Sequence, residues 1–215
     1  SMMQRACAAA LLKKGRSIIF NPGASNDDKA AISIIEKLGT SIQFQEKKLI
    51  IDSIGVQPQS LELNCGESGL SARMFTTIAS LSNERLLISG SGSLLTRPMH
   101  FFDEILPQLS VQIETSDGKL PFNIKGPLQP KNINIDGSLS SQYLTGILLA
   151  FSSIKLTEDI SIKVNNLKSK PYVDITLSVI EAFGLNIPIN DNYENLTFRS
   201  NHKINAEDRK STRLN

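Results

Sequence analysis

Several stretches of this 215-residue sequence place polar groups where helices begin, and the chemistry they offer is the binding of an anion. In Asp136-Gly137-Ser138-Leu139-Ser140-Ser141-Gln142-Tyr143, a glycine and three serines follow the alternating, strand-like run Asn132-Ile133-Asn134-Ile135. An apolar stripe of Tyr143, Leu144, Ile147, Leu148 and Phe151 comes next, at helical spacing. Hydroxyls and unpaired backbone N–H groups therefore gather at a helix N-terminus, where the positive end of the helix dipole adds to their pull on an anion. A serine that merely caps the helix is the alternative for any one such turn. Arg97-Pro98 and Lys170-Pro171 each set a cation before a proline, and proline suits the first helical turn because its missing N–H costs nothing there. Arg5, Arg73 and Gln142 each stand four residues after a Ser or Gly. Helix N-termini, Arg5, Arg97 and the serines of 138–141 would together make a site for a polyanionic small molecule. Any one arginine alone reads as an ordinary surface residue; the set does not.

The elements that must position these groups recur along the chain. Ala31, Ile34, Ile35 and Leu38 have helical spacing, and Gly39 and the strand-like Ser41-Ile42-Gln43-Phe44 follow. Phe102, Ile105, Leu106 and Leu109 repeat that spacing before Ser110 and Val111-Gln112-Ile113-Glu114. Thr176, Val179, Ile180 and Phe183 do so again before Gly184 and Leu185-Asn186-Ile187-Pro188-Ile189. Ala31, Phe102 and Thr176 start the three stripes, 71 and then 74 residues apart. An earlier helix precedes each: Gln4 to Lys14, Ser71 to Leu81 and Ser141 to Ser152, leading to strands Ser17–Phe20, Leu86–Ser89 and Ile160–Val164. Paired strands follow at 41–45 and 48–52, 111–114 and 121–125, and 185–189 and 194–199. Leading strands at Leu61-Glu62-Leu63 and Asn132–Ile135 open the second and third copies.

The fold class is therefore α/β, with one β-α-β-α-β-β unit used three times in pseudo-threefold symmetry. The copies lie at about 1–55, 60–126 and 131–200 in a single domain, and the first lacks its leading strand, as expected of a truncated chain. Equivalent helix openings should converge on one face. The tail 201–215 has almost no apolar residues and reads as disordered or as a non-native extension.

With 40% hydrophobic residues the chain can bury a real core. The formal net charge of +2 and the scattered basic residues do not fit a nucleic-acid binder. No apolar run approaches a bilayer span, so a soluble protein without a membrane partner is expected. Cys7 and Cys65 lack metal-ligand spacing and read as reduced, buried thiols, with a disulfide as the alternative. His100 and His202 show no ligand spacing either, so no metal is expected.

Asn64-Cys65-Gly66-Glu67-Ser68-Gly69-Leu70-Ser71-Ala72-Arg73, Arg97-Pro98-Met99, the 136–143 stretch and Ser169-Lys170-Pro171-Tyr172-Val173-Asp174-Ile175-Thr176-Leu177 stand in this order. Together they resemble the 5-enolpyruvylshikimate-3-phosphate synthase (3-phosphoshikimate 1-carboxyvinyltransferase) family, over residues 1 to about 200. The resemblance implies one of two domains, each of three such units, that close on substrate. It implies transfer of the enolpyruvyl group of phosphoenolpyruvate to the 5-hydroxyl of shikimate-3-phosphate, in the shikimate pathway of aromatic amino-acid biosynthesis. That reaction passes through a tetrahedral intermediate with neither metal nor organic cofactor. By resemblance Ser1, Arg5, Ser140, Ser141, Gln142, Ser169 and Tyr172 hold shikimate-3-phosphate, while Gly69, Arg97 and Gln142 meet phosphoenolpyruvate. A cytoplasmic monomer is implied.

Departures from the pattern matter. The family's substrate-binding lysine would precede Ser1, and the sequence starts one residue later. Glu67 stands where many members have Asn, which brings a negative charge to the phosphoenolpyruvate path, and Met2, Met3 and Gln4 replace a Ser-Asn run. The general acid–base carboxylates belong to the other domain, so this chain alone is expected to be catalytically silent. Two alternatives remain. One is UDP-N-acetylglucosamine enolpyruvyl transferase, whose reactive cysteine has no counterpart in Arg97-Pro98-Met99-His100. The other is a non-catalytic repeat scaffold, with ordinary surface residues at Arg5, Arg97 and Gln142.

Overall fold

A computed structural model of the chain describes residues 2–138 and 141–201. The first copy runs α1 (Met2–Leu12), β1 (Gly15–Phe20), α2 (Asn26–Lys37), β2 (Ser41–Gln45) and β3 (Lys48–Ser53). The second runs β4 (Glu62–Asn64), α3 (Gly69–Ala79), β5 (Arg85–Ser89), a 3-10 helix (Gly92–Thr96), α4 (Phe101–Gln108), β6 (Gln112–Ser116) and β7 (Lys119–Lys125). The third runs β8 (Ile133–Asp136), α5 (Ser141–Ser152), β9 (Ile160–Asn165), α6 (Lys170–Ala182), β10 (Ile189–Asp191) and β11 (Asn195–Phe198).

Each copy folds its strands into its own sheet, in orders β1-β3-β2, β4-β5-β7-β6 and β8-β9-β11-β10. The three orders are one order, except that the first sheet has no counterpart of β4 and β8 among the described residues. The leading strand runs parallel to its neighbour in both copies that have it, and every other pairing is antiparallel. Burial alternates along β3 and β7 as it must when one sheet face is covered.

The two helices of each copy differ in kind. In α1 every residue from Gln4 to Leu12 is buried, and in α5 every residue but Gln142. Helices apolar all round belong at a centre, and α1, α3 and α5 touch one another there. The second helices bury one stripe only, such as Ala31, Ile34 and Ile35 of α2. Cys7 and Cys65 are free thiols within this core, and burial pushes the Cys65 thiol up to about 12.

The tightest central contact is between α3 and α5, where Gly146 lies against the α3 backbone. A Cβ at Gly146 would stand 2.8 Å from the Met74 carbonyl oxygen and 3.0 Å from that of Arg73. Helix propensity favours alanine there by about 1 kcal/mol, but overpacking against backbone costs about 1–3 kcal/mol. Gly146→Ala is therefore expected to destabilise the chain by about 1 kcal/mol. A lower urea midpoint at unchanged slope is the expected reading, and a higher one excludes a tight contact.

Two expectations from the sequence fail here. Residues 185–188 are not strand; the extended stretch is Ile189–Asp191, paired with Asn195–Thr197. The Leu185 and Asn186 amides donate instead to Ile180 and Ser152 carbonyls, and the Asn186 side chain donates to the Arg199 carbonyl. Those bonds take the groups a ladder would need, and Pro188 has no N–H to offer one. Second, Pro98 does not open α4. Arg97 is extended (φ −80°, ψ 128°) between the 3-10 helix and α4, as a residue before proline prefers. The reading of 201–215 as a tail lies outside the described residues beyond Asn201.

Candidate anion site at the helix openings

The first turns of the three central helices open on one cleft of about 660 Å³. Helix α1 contributes Gln4 and Arg5, α3 contributes Gly69 and Leu70, and α5 contributes Ser141 and Gln142. The second helices bring Asp27 from the start of α2, Arg97 from the segment before α4, and Ser169 and Tyr172 from the start of α6. Arg5, Gly69, Arg97, Ser141, Gln142, Ser169 and Tyr172 thus share one wall system, although they come from all three copies. Ser1 and Ser140 lie outside the described residues.

Local structure explains the placement. Ser68 caps α3, its hydroxyl accepting the Ser71 amide at 3.2 Å, which starts that helix at Gly69 and sets Gly69 at its mouth. Ser25 and Asp28 form a reciprocal capping box at the start of α2. Asp136 accepts the Ser138 amide at 2.9 Å and thereby folds the turn before α5. That bond, with further help from the Ser138 hydroxyl, holds the Asp136 carboxyl below its ordinary value. Ser169 precedes α6 but makes no side-chain capping bond, so its hydroxyl is not consumed by the helix end it fronts.

Arg5 is the most buried cation of the site, only 1% exposed. Its Nε donates to Thr176 Oγ1 at 2.9 Å and its Nη2 to Thr145 Oγ1 at 3.3 Å, which ties α1 to α6 and α5. Its guanidinium carbon lies 6.0 Å from the Tyr172 ring centroid. Burial lowers its pKa to about 10, against an opposing influence from Tyr172, so it remains charged at neutral pH.

At Gly69 two further guanidinium groups converge. A Cβ there would stand 2.7 Å from Arg73 Nη1 and 3.1 Å from Arg97 Nη1, with Gln142 Oε1 at 3.8 Å. Arg73 Nη1 donates to Gln142 Oε1 at 3.1 Å, and Arg97 Nη2 donates to Ser93 Oγ at 3.2 Å. Among the described residues, no carboxylate lies within 4.0 Å of Arg73, Arg97 or Lys168. Like charges gathered beside helix N-termini without a direct ion pair suit a bound anion, although Asp27 and Glu67 share the cleft and the field of Lys168 reaches Asp136.

The sequence reading missed one cation. Lys170 opens α6 as expected and lies over the Tyr193 ring at 5.1 Å, while the cleft is lined by Lys168. Its signal was faint, a lone lysine one residue before Ser169. Glu67 lines the cleft as well, its carboxylate packed on the Cα side of Gly92.

The chain is similar to known proteins over most of its length. A 3-phosphoshikimate 1-carboxyvinyltransferase of Methanococcoides burtonii is 38% identical over 202 residues, covering 92% of this chain and 47% of that relative. One from Buchnera aphidicola subsp. Cinara cedri is 30% identical over 211 residues, covering 94% and 48%. Among solved structures, EPSP synthase from Acinetobacter baumannii superimposes with a TM-score of 0.77 at 24% identity, over 92% of this chain and 44% of that one. The enolpyruvyl transferase NikO from Streptomyces tendae gives 0.62 at 15% identity, over 92% and 45%. At those identities the structures speak for the fold alone. The chain spans about half the length of the curated relatives it matches. The family profile of EPSP synthase (3-phosphoshikimate 1-carboxyvinyltransferase) matches residues 1–210, and the chain belongs to that family.

Proposed function

We propose that this chain forms one wall of the active site of a 3-phosphoshikimate 1-carboxyvinyltransferase. The observation that carries the reading is the meeting of Arg5, Gly69, Arg97, Gln142, Ser169 and Tyr172, drawn from three repeats, at one cleft. On this reading residues 1–200 are one domain, and a second domain with the acid–base carboxylates closes over it. Shikimate-3-phosphate lies against Arg5, Ser141, Gln142, Ser169 and Tyr172, and the resemblance assigns Ser1 and Ser140 to the same ligand. Phosphoenolpyruvate lies against Gly69, Arg97 and Gln142. The enolpyruvyl group moves to the 5-hydroxyl and phosphate leaves. This wall contributes preorganised donors and positive charge, which favour a polyanionic transition state without reorganising as charge shifts. The forked donors of Arg97 match a carboxylate or a phosphate. No metal or organic cofactor enters the scheme, and the working protein is a cytoplasmic monomer. No described helix is long and apolar enough to cross a membrane.

Thermal denaturation with added ligands tests this, since a ligand that binds only the folded state raises its melting temperature. Shikimate-3-phosphate should raise it, whereas unphosphorylated shikimate and UDP-N-acetylglucosamine should not. The chain alone should show no turnover, and adding the complementary half of a family member should restore it. Equal responses to the phosphorylated and unphosphorylated acids would sink the proposal.

Glu67 offers a second check. Glu67 is exposed, and a solvated carboxylate a few ångströms from an anion opposes it by about 1 kcal/mol at a dielectric constant near that of water. Glu67→Gln is expected to tighten phosphoenolpyruvate binding about fivefold at low salt, with the gain shrinking as ionic strength rises. Calorimetric titration at two salt concentrations measures both.

A further inference from the structure

Arg73 is absent from the substrate contacts assigned above, yet its guanidinium is held on several sides. Nη1 donates to the Gly69 carbonyl at 3.3 Å and to Gln142 Oε1 at 3.1 Å, and the group lies over the Tyr143 ring at 5.3 Å. Its Nε is buried with no hydrogen-bond partner among the described residues. An arginine can only donate, so the atom of the Gln142 amide that faces it must be the oxygen. The amide's two N–H donors are thereby turned away from Arg73, on a side chain that lines the cleft. Without that hold a glutamine amide could present either end to a ligand, and its oxygen would repel an anion.

We propose that Arg73 is a positioning residue for this site: it grips Gln142 by the amide oxygen and so aims the amide N–H groups at a bound phosphate or carboxylate. The inference rests on the reading of the cleft as an anion site, and Arg73 acts through Gln142 rather than by its own contact with ligand. A direct contact predicts independent losses when both residues are changed, whereas action through Gln142 predicts a shared loss.

The test combines nitrogen–proton NMR of the Gln142 side-chain amide with titration of inorganic phosphate, on the 215-residue chain and its variants. Without phosphate, the unaltered chain should show a rigid Gln142 amide, and Arg73→Met should show a mobile one. Arg73→Met and Gln142→Met should each weaken phosphate binding about tenfold, and the double variant should lose no more than either single one. Arg73→Lys, which keeps a donor, should restore part of the loss. An unchanged amide signal in Arg73→Met, or losses that multiply in the double variant, would overturn the proposal. If phosphate fails to bind the unaltered chain, the anion-site reading falls, and the ligand-free amide comparison still decides whether Arg73 holds Gln142. Should Arg73→Met not fold, Gln142→Glu replaces it: its carboxylate pairs with Arg73, so melting should be no lower, while phosphate affinity drops at least tenfold. Retained affinity in that variant overturns the proposal as well.

Discussion

Arg5→Met is expected to raise the stability of the chain while loosening its grip on shikimate-3-phosphate. The guanidinium is buried, with the Thr145 and Thr176 hydroxyls and the Tyr172 ring among its neighbours, and burial dominates its electrostatics. A fall in pKa from arginine's ordinary value to about 10 corresponds to about 3 kcal/mol against the charged folded state. The sign follows from linkage. A base whose folded pKa is depressed binds its proton less tightly when folded, so the penalty is fully present below pH 10 and fades only as pH rises from there toward arginine's ordinary pKa. At neutral pH the whole penalty applies. Methionine fills much of the same space without a charge.

The two threonines do not lose all their partners in this variant. Thr145 still donates to the Ser141 carbonyl, Thr176 to the Tyr172 carbonyl, and the two hydroxyls lie 3.1 Å apart. Allowing for the lost arginine hydrogen bonds, the net gain should be about 1–2 kcal/mol, or about 2–8 °C in melting temperature. Replacement of buried ionic groups by apolar ones often has this sign. Affinity for shikimate-3-phosphate should fall about a hundredfold, the loss of roughly 3 kcal/mol of charge-assisted contact in a dry setting. Melting curves with and without ligand report both quantities. A destabilised variant that still responds to the ligand would make Arg5 a scaffold residue and remove it from the site.

The sequence exposed the repeat because its signal is local. Helical stripes such as Phe102, Ile105, Leu106 and Leu109 depend on side chains within three turns, and the burial of those residues follows directly. Convergence of Arg5, Gly69 and Gln142 followed from the same repeat, since equivalent helix ends in equivalent units must point alike. What stayed hidden depended on partners distant in sequence. The alternation of Leu185-Asn186-Ile187 looks like strand until Ser152 and Arg199 take its hydrogen bonds. Lys168 and Lys170 are alike in composition, and only the position of Tyr193 draws the second one away. The hold of Arg73 on Gln142 spans 69 residues and two helices, which no spacing rule reaches. Arg97-Pro98 was misread for a subtler reason. The proline rule for helix starts is sound, but the same dipeptide also ends a 3-10 turn, and here it does.

Gly69→Ala should separate the two substrates. The added methyl would meet Arg73 Nη1 at 2.7 Å and Arg97 Nη1 at 3.1 Å, both at the far ends of flexible side chains rather than on backbone. Those ends can swing away, and alanine is the better helix former at the first position of α3. Stability should therefore hold, or rise by up to about 1 kcal/mol. The cost falls on geometry. Displacing Arg97 removes one charged donor from phosphoenolpyruvate, and displacing Arg73 releases the Gln142 amide. Two such contacts at about 1.5 kcal/mol each predict a loss near a hundredfold in phosphoenolpyruvate affinity. Shikimate-3-phosphate shares Gln142 but is otherwise assigned to Arg5, Ser141, Ser169 and Tyr172, none of which is among the atoms nearest the new methyl. Its affinity should fall by no more than about tenfold, the share of Gln142, since contacts away from a substituted site usually add independently. Titrating each ligand into the alanine variant decides the matter. A parallel loss of both would mean that the methyl closes the cleft as a whole, and the division of its wall into two subsites would then be wrong.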